Sequence, residues 1–161
     1  MKPLHFRPIA KKDNAAVAAV IRSVLEEFDV PKVGTAYADP SLDDLYSYYL
    51  QDRAAYWVIE EGGAIVGAGG IAPLENYDGS VCELQKMYFL PMARGKGLGR
   101  SMIELCLQAA KDFGYRACYL ETMSHMEAAQ ALYRAKGFAY LDGPMGDTGH
   151  FSCGVQMLKN L

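Results

Sequence analysis

The chain has no long hydrophobic run, little net charge and no low-complexity segment. No apolar stretch approaches the ~18 residues that cross a bilayer, and residues 1–7 lack a secretory core, so we expect a cytoplasmic protein without a membrane anchor. The net charge of −3 argues against a general nucleic-acid binder. No repeat or linker interrupts the 161 residues, which predicts one domain spanning residues 1–161.

Cysteine and histidine are also scarce. The cysteines are Cys82, Cys106, Cys118 and Cys153, and the histidines are His5, His125 and His150. The cysteines form no C-x-x-C pair and each lies in an apolar run, where a free cysteine is usually a small buried hydrophobe. The histidines show no metal-ligand spacing. The sequence therefore excludes a disulfide miniprotein and predicts no metal site.

The apolar periodicity predicts a mixed α/β domain. Strand patterns cover residues 4–9, 55–60, 64–72, 82–90, 117–122, 138–141 and 151–158, and helical patterns cover 13–28, 41–49, 98–113 and 124–137. The pair Gly62-Gly63 predicts a hairpin turn between the second and third strands. Two capping boxes predict that helices begin at Ser41, with Asp44, and at Ser124, with Glu127.

The most informative segment is a glycine turn, Arg94-Gly95-Lys96-Gly97-Leu98-Gly99-Arg100, between a strand and an amphipathic helix. Its alternate glycines let the backbone turn tightly and expose successive N–H groups. The helix adds its unpaired first-turn N–H groups and the positive end of its dipole, and three basic side chains add charge. The turn therefore predicts a phosphate or pyrophosphate site. It is not a P-loop, because Gly-Lys is not followed by Ser or Thr.

This turn resembles the Q/R-x-x-G-x-G/A signature of the Gcn5-related N-acetyltransferase (GNAT) superfamily. The residues that match a second family motif, A-x-x-x-Y-x-x-x-G-F, are Ala129, Tyr133, Gly137 and Phe138. The resemblance covers nearly the whole chain, with Met126 standing where many members carry Asn. It implies an α/β fold with a mixed, mostly antiparallel central sheet, flanked by helices and splayed between the fourth and fifth strands.

The resemblance also implies that acetyl-CoA is the co-substrate and lies along the turn. Its pyrophosphate would contact Arg94, Gly95, Lys96, Gly97, Leu98, Gly99 and Arg100, largely through backbone N–H groups. The preceding residues Met87, Tyr88 and Phe89 would hold the pantetheine arm. A backbone N–H near Met87 would stabilise the oxyanion that forms when an amine attacks the thioester.

Acetyl transfer requires two proton transfers, for which the chain offers three candidate catalytic residues. An alkylammonium with a pKa near ~10 must lose a proton before attack, and the departing thiolate must gain one. Tyr133 matches the family tyrosine that often serves as general acid, and core packing is the alternative. Glu83 and Glu121 are candidate bases because each carries a carboxyl inside a strand pattern. Alternatively, the two carboxylates face solvent or pair with Lys86 or Arg116.

The resemblance therefore implies transfer of an acetyl group from acetyl-CoA to a primary amine of a small molecule or peptide, by direct attack on the thioester. The alternative is a non-catalytic acyl-CoA-binding sensor module with the same fold. In this family, acceptor contacts come from segments that correspond to residues 28–49, 75–78 and 143–150. We expect no nucleic-acid or membrane partner, and homodimer formation stays open.

Overall fold

The protein is described by a computed structural model that covers residues 3–161. Its helices are α1 (Asn14–Glu27), α2 (Leu45–Tyr48), α3 (Leu98–Asp112) and α4 (Glu127–Ala135). Its strands are β1 (Leu4–Pro8), β2 (Ala55–Glu61), β3 (Ala64–Pro73), β4 (Val81–Phe89), β5 (Ala117–Thr122), β6 (Ala139–Tyr140) and β7 (Val155–Asn160). The order of helices and strands predicted from the periodicity is confirmed. Within residues 3–161, no helix combines the length and apolarity that crossing a bilayer demands.

One sheet of seven strands has the order β1-β2-β3-β4-β5-β7-β6. All neighbouring strands are antiparallel except β4 and β5, which run parallel. This parallel pairing extends only from Val81 to Glu83, although β4 continues to Phe89. The sheet therefore opens between its fourth and fifth strands, which confirms the predicted splay. Beyond Glu83, the edge of β4 that faces the opening has no strand partner among residues 3–161.

A β-bulge in β4 lies just beyond the point where the sheet opens. The register between β3 and β4 shifts between Ala68 and Gly70, and Lys86 on the opposite strand has a φ of 47°. A non-glycine residue rarely adopts a positive φ, and a bulge re-aims the side chains that follow it. The Tyr56 hydroxyl donates to the Lys86 carbonyl at 2.7 Å and holds this conformation.

Two hydrophobic clusters lie against opposite faces of the sheet, because successive strand residues point to opposite sides. Val58 of β2 belongs to the cluster that contains the buried face of α1. The next residue, Ile59, belongs to the cluster that contains the buried face of α3. The helices thus cover both faces, and the N-terminus of α3 is held beside the opening in the sheet.

Both predicted helix starts are wrong by a few residues. Residues 40–44 form a 3₁₀ segment, and α2 begins after Asp44, whose carboxylate accepts the Ser47 N–H at 3.2 Å. Helix α4 begins at Glu127, and no side chain caps it. The Ser124 carbonyl accepts the Gln130 side-chain amide at 3.1 Å, so Ser124 belongs to the preceding loop. Local hydrogen bonds therefore override both capping-box patterns.

Candidate active site

A cavity of about 470 Å³ lies where β4 and β5 separate. The sequence-predicted site residues that line it are Glu83, Met87, Tyr88, Phe89, Arg94, Gly95, Gly97, Leu98, Gly99, Arg100, Glu121 and Tyr133. Lys96 does not line the cavity, and its Nζ atom lies 3.6 Å from a carboxylate oxygen of Glu61. The structure therefore brings the predicted cofactor residues and the predicted catalytic residues together on one surface.

The backbone of the glycine turn is open toward ligand. Gly95 and Gly97 have φ values of 75° and 76°, in the left-handed region that glycine adopts without strain. A Cβ atom at either position would meet no atom within 4 Å, so conformation rather than crowding requires glycine there. Gly97 is the N-cap of α3 and, as a glycine, supplies no capping side chain. The first-turn N–H groups of α3 are therefore available to an anion.

Arg94 is already engaged by protein groups. Its guanidinium donates to both carboxylate oxygens of Glu27, at 2.7 and 2.8 Å, and to the Phe89 carbonyl at 2.9 and 3.1 Å. It also lies over the Phe28 ring, 5.1 Å from the centroid. Arg94 thus joins α1 to the turn. Of the three basic residues in the turn, Arg100 alone lines the cavity without an ion pair to another residue among 3–161.

Glu83 of β4 is buried, with 4% of its surface exposed. Its carboxylate accepts one hydrogen bond, from the Gln85 side-chain amide at 2.7 Å, and Gln85 in turn accepts the Tyr49 hydroxyl at 2.7 Å. Burial raises the pKa of Glu83 to about 7, and the neighbouring Glu121 charge acts in the same direction. A carboxyl with this pKa can accept and release a proton near neutral pH.

Glu121 of β5 is half-buried as a residue, although only 4% of its side chain is exposed, and its hydrogen bonding differs from that of Glu83. One oxygen accepts the Tyr119 hydroxyl at 2.6 Å, and the other accepts the Thr148 hydroxyl. Neither Glu83 nor Glu121 faces solvent or pairs with Lys86 or Arg116, so that alternative expectation is wrong. Because each oxygen of Glu121 accepts a hydroxyl group, both oxygens already have a protein hydrogen-bond donor.

The structure reveals a charged network that the sequence analysis missed. Asp39, in the loop after α1, pairs with Lys86 Nζ at 2.7 Å and with His150 Nε2 at 2.8 Å. Burial alone would raise the pKa of Asp39, but the His150 hydrogen bond and the Lys86 charge lower it. Burial also opposes protonation of His150, yet the hydrogen bond to Asp39 raises the pKa of its imidazole.

Glu83, Glu121 and His150 form a three-residue cluster whose polar side-chain atoms lie within 4.8 Å of one another. These residues are far apart in sequence, so no spacing pattern could have revealed the cluster. A cluster of this composition has atoms that could ligate a metal ion. The expectation of no metal site therefore stays a prediction.

The loops expected to contact the acceptor differ in their positions. Thr35 and Ala36 of segment 28–49 and His150 of segment 143–150 line the cavity. Segment 75–78 does not line it, and Tyr77 and Asp78 instead line a separate depression. The two loops that do reach the cavity are the ones that carry Asp39 and His150.

Tyr133 of α4 is both a packing residue and a cavity residue. Its ring lies edge-to-face against Phe138, with centroids 6.0 Å apart. Tyr133 also lines the cavity. Burial raises the pKa of Tyr133, so the phenol stays protonated at neutral pH. It is therefore placed to donate a proton or hydrogen bond to a ligand.

Comparison with known proteins places these features in context. Residues 17–138 match the model of the acetyltransferase (GNAT) family. The chain is 46% identical over 157 residues to an uncharacterised N-acetyltransferase of Escherichia coli (strain K12), YjgM, covering 97% of this chain and 94% of the relative.

Two solved structures share the fold. An acetyltransferase of the GNAT family from Staphylococcus aureus Mu50 has a TM-score of 0.88 and 20% identity, with 99% of each chain covered. The structure of yncA from Salmonella typhimurium, solved with its cofactor acetyl-CoA, has a TM-score of 0.74 and 19% identity. That match covers 98% of this chain and 92% of the other.

Proposed function

The chain belongs to the acetyltransferase (GNAT) family, and on that premise we propose that it transfers the acetyl group of acetyl-CoA to a primary amine of a small molecule or peptide. One observation carries the proposal. A single cavity joins the glycine turn, the unpaired edge of β4 and the buried carboxyl of Glu83. An anion site, free backbone groups and a base with a pKa about 7 are what this transfer requires.

The cofactor is proposed to bind through the backbone. The pyrophosphate accepts hydrogen bonds from the N–H groups of Gly95, Gly97 and the first turn of α3. The pantetheine arm lies along residues 87–89, where β4 has no partner strand on the β5 side. The Met87 N–H stabilises the oxyanion of the tetrahedral intermediate. The acetyl-CoA in the yncA structure supports this choice of co-substrate.

Glu83 is proposed to be the general base. It removes one proton from the acceptor ammonium, and the free amine then attacks the thioester carbonyl. We assign this role to Glu83 rather than Glu121 because both oxygens of Glu121 accept protein hydroxyls, whereas Glu83 accepts one amide. When the tetrahedral intermediate collapses, the C–S bond breaks and Tyr133 gives its phenolic proton to the thiolate. The nitrogen of the new amide gives up its second proton, which restores the Tyr133 phenol, and Glu83 releases the first proton to solvent.

Thiol release from acetyl-CoA tests this function directly. A panel of polyamines, amino acids, aminoglycosides and peptides is incubated with enzyme and acetyl-CoA, and the acetylated product is identified by mass spectrometry. We expect amine-dependent thiol release with at least one class of acceptor. Calorimetric binding of acetyl-CoA without thiol release for any amine would instead support the sensor module.

A further inference from the structure

The cluster of Glu83, Glu121 and His150 poses an electrostatic problem for a base. Two carboxylates within 4.8 Å repel each other, and the second resists losing its proton. Glu83 must nevertheless be ionised to accept a proton from an ammonium. Among residues 3–161 its carboxylate accepts a hydrogen bond from the neutral Gln85 amide alone, so a nearby positive charge would favour its ionised form.

The titratable groups that face this cluster from the surrounding elements are Asp39, Tyr48, Tyr49, Lys86, Tyr88, Tyr119 and Cys153. Burial raises the pKa of all four tyrosines and of the Cys153 thiol, so these groups are neutral across the working range. Lys86 pairs directly with Asp39 at 2.7 Å, and its charge lowers the pKa of Glu83 by less than the charge of His150 does. His150 also contacts Asp39 and lies beside Glu121, so it links Asp39 to the two glutamates.

Both ring nitrogens of His150 face carboxylates. Nε2 lies 2.8 and 3.0 Å from the two oxygens of Asp39, and Nδ1 lies 3.8 Å from Glu121 Oε1. Nε2 is within hydrogen-bond distance of Asp39, whereas 3.8 Å is too long for a hydrogen bond between Nδ1 and Glu121. Two carboxylates that flank the ring nevertheless favour the imidazolium by their charge, and its positive charge would then lie beside the two glutamates.

The backbone next to His150 is fixed to the loop that carries Asp39. The Ser152 N–H donates to the Gly34 carbonyl at 2.9 Å, and the Ser152 hydroxyl donates to the Val33 carbonyl at 2.8 Å. The Phe151 ring lies against Gly34, where a Cβ atom would approach it to 2.6 Å. The His150 ring is therefore held in place by contacts between two loops.

We propose that His150, held by Asp39, is a positioning residue that supplies the positive charge needed to keep Glu83 ionised beside Glu121. The proposal rests on the function proposed above, in which Glu83 is the base. His150 acts through Glu83 and forms no bond with either substrate. With His150 protonated, the positive charges of Lys86 and His150 offset two of three carboxylates. The remaining net charge of the five side chains is −1, which the acceptor ammonium neutralises. The three carboxylates are those of Asp39, Glu83 and Glu121.

The pH dependence of kcat/KM separates this role from a structural one. In His150→Gln we expect the midpoint of the acid limb to rise by about one pH unit, since a neighbouring cation favours the ionised carboxylate. Activity then falls about tenfold at pH 6 but stays within about twofold of wild type at pH 9. His150→Lys, which restores a cation, moves the midpoint back.

His5→Gln, at an exposed position of the edge strand β1, is the matched control. An equal loss at every pH in His150→Gln would overturn the proposal.

A second measurement does not depend on turnover. Carbon-13 NMR of the glutamate carboxyls, with the Glu83 signal assigned by its loss in Glu83→Gln, follows the titration directly. We expect the Glu83 midpoint to be higher in His150→Gln than in wild type, and an unchanged midpoint would contradict the proposal. A shifted midpoint in a protein that acetylates no amine would leave the charge effect of His150 standing and reject the proposed function.

Discussion

The two sides of the cavity are built in different ways. The cofactor side, residues 87–100, offers mainly backbone groups of one continuous segment, with strand, glycine turn and helix in succession. The acceptor side consists of Asp39, Glu83, Lys86, Glu121 and His150, whose side chains come from two strands and two distant loops. In the proposed function, local geometry would thus bind acetyl-CoA, whereas proton transfer would depend on tertiary placement. Substitutions on the cofactor side should therefore change the acetyl-CoA Kd, whereas substitutions on the acceptor side should change kcat.

The largest effect is expected from Glu83→Gln on the acceptor side. Loss of a general base typically lowers kcat by about 10²–10⁴-fold, and the affinity for acetyl-CoA should remain within a few-fold because the turn is untouched. The loss should shrink as pH rises, since free amine then forms without the base. Steady-state kinetics from pH 6 to 10 measures both effects.

Glu121→Gln is the matched control for that substitution. It changes the other carboxyl of the cluster, on the neighbouring strand, and we expect it to retain more turnover than Glu83→Gln. A collapse of turnover in Glu121→Gln with full activity in Glu83→Gln would transfer the base to β5. Full activity of both variants would show that deprotonation proceeds through water and backbone groups.

Glu83→Gln should also stabilise the fold at high pH. The pKa of Glu83 is about 7 in the folded protein, against an ordinary 4.5, so the unfolded chain loses this proton first. The buried carboxyl therefore lowers the free energy of unfolding as pH rises. This loss is absent below pH 4.5, grows up to pH 7, and reaches about 3 kcal/mol above that. Thermal unfolding should therefore show a higher Tm for Glu83→Gln at pH 8 and no gain at pH 4. Glu75→Gln, at an exposed glutamate, should show neither change.

On the cofactor side, Gly97→Asp should weaken acetyl-CoA binding about tenfold to a hundredfold. The carboxylate would enter the open space that the pyrophosphate is proposed to fill and would oppose the dipole of α3. Gly97→Asn has nearly the same shape without the charge and tolerates the left-handed backbone, so it should lose much less affinity. Equal acetyl-CoA Kd values for Gly97→Asp and wild type, by calorimetry, would place the pyrophosphate elsewhere.

The smallest effect is expected from Tyr133→Phe, at the junction of the two sides. The substitution removes one proton donor and keeps the ring that packs on Phe138. We expect kcat to fall about tenfold with unchanged Tm and acetyl-CoA affinity, because solvent can also protonate a thiolate. If this variant turns over at the wild-type rate, Tyr133 is a packing residue only.

The sequence predicted the position of the glycine turn between β4 and α3 because its signals are local. The alternating glycines of the turn and the apolar stripe of α3 are each readable within a single window. The acceptor side was only partly predictable. Glu83 and Glu121 stood out as carboxyls inside strands, but their meeting with His150 depends on how two loops fold over the sheet.

The bulge at Lys86 could not be predicted from the sequence either, but for a different reason. The residue with positive φ is a lysine, and its conformation is maintained by tertiary contacts through Tyr56 and Asp39. No glycine or proline at that position signals an irregular strand. The helix starts at Ser41 and Ser124 were misplaced because nearby side chains hydrogen-bond differently from the capping-box pattern.

The most direct test of the two-sided site is a double-variant comparison of Gly97→Asp, Glu83→Gln and their combination. Calorimetry gives the acetyl-CoA Kd, and thiol release at saturating acetyl-CoA gives kcat. We predict that the double variant has the Kd of Gly97→Asp and the kcat of Glu83→Gln, because substitutions without shared partners act additively. A Glu83→Gln protein that loses acetyl-CoA affinity as severely as Gly97→Asp would contradict the division of the cavity into a binding side and a proton-transfer side.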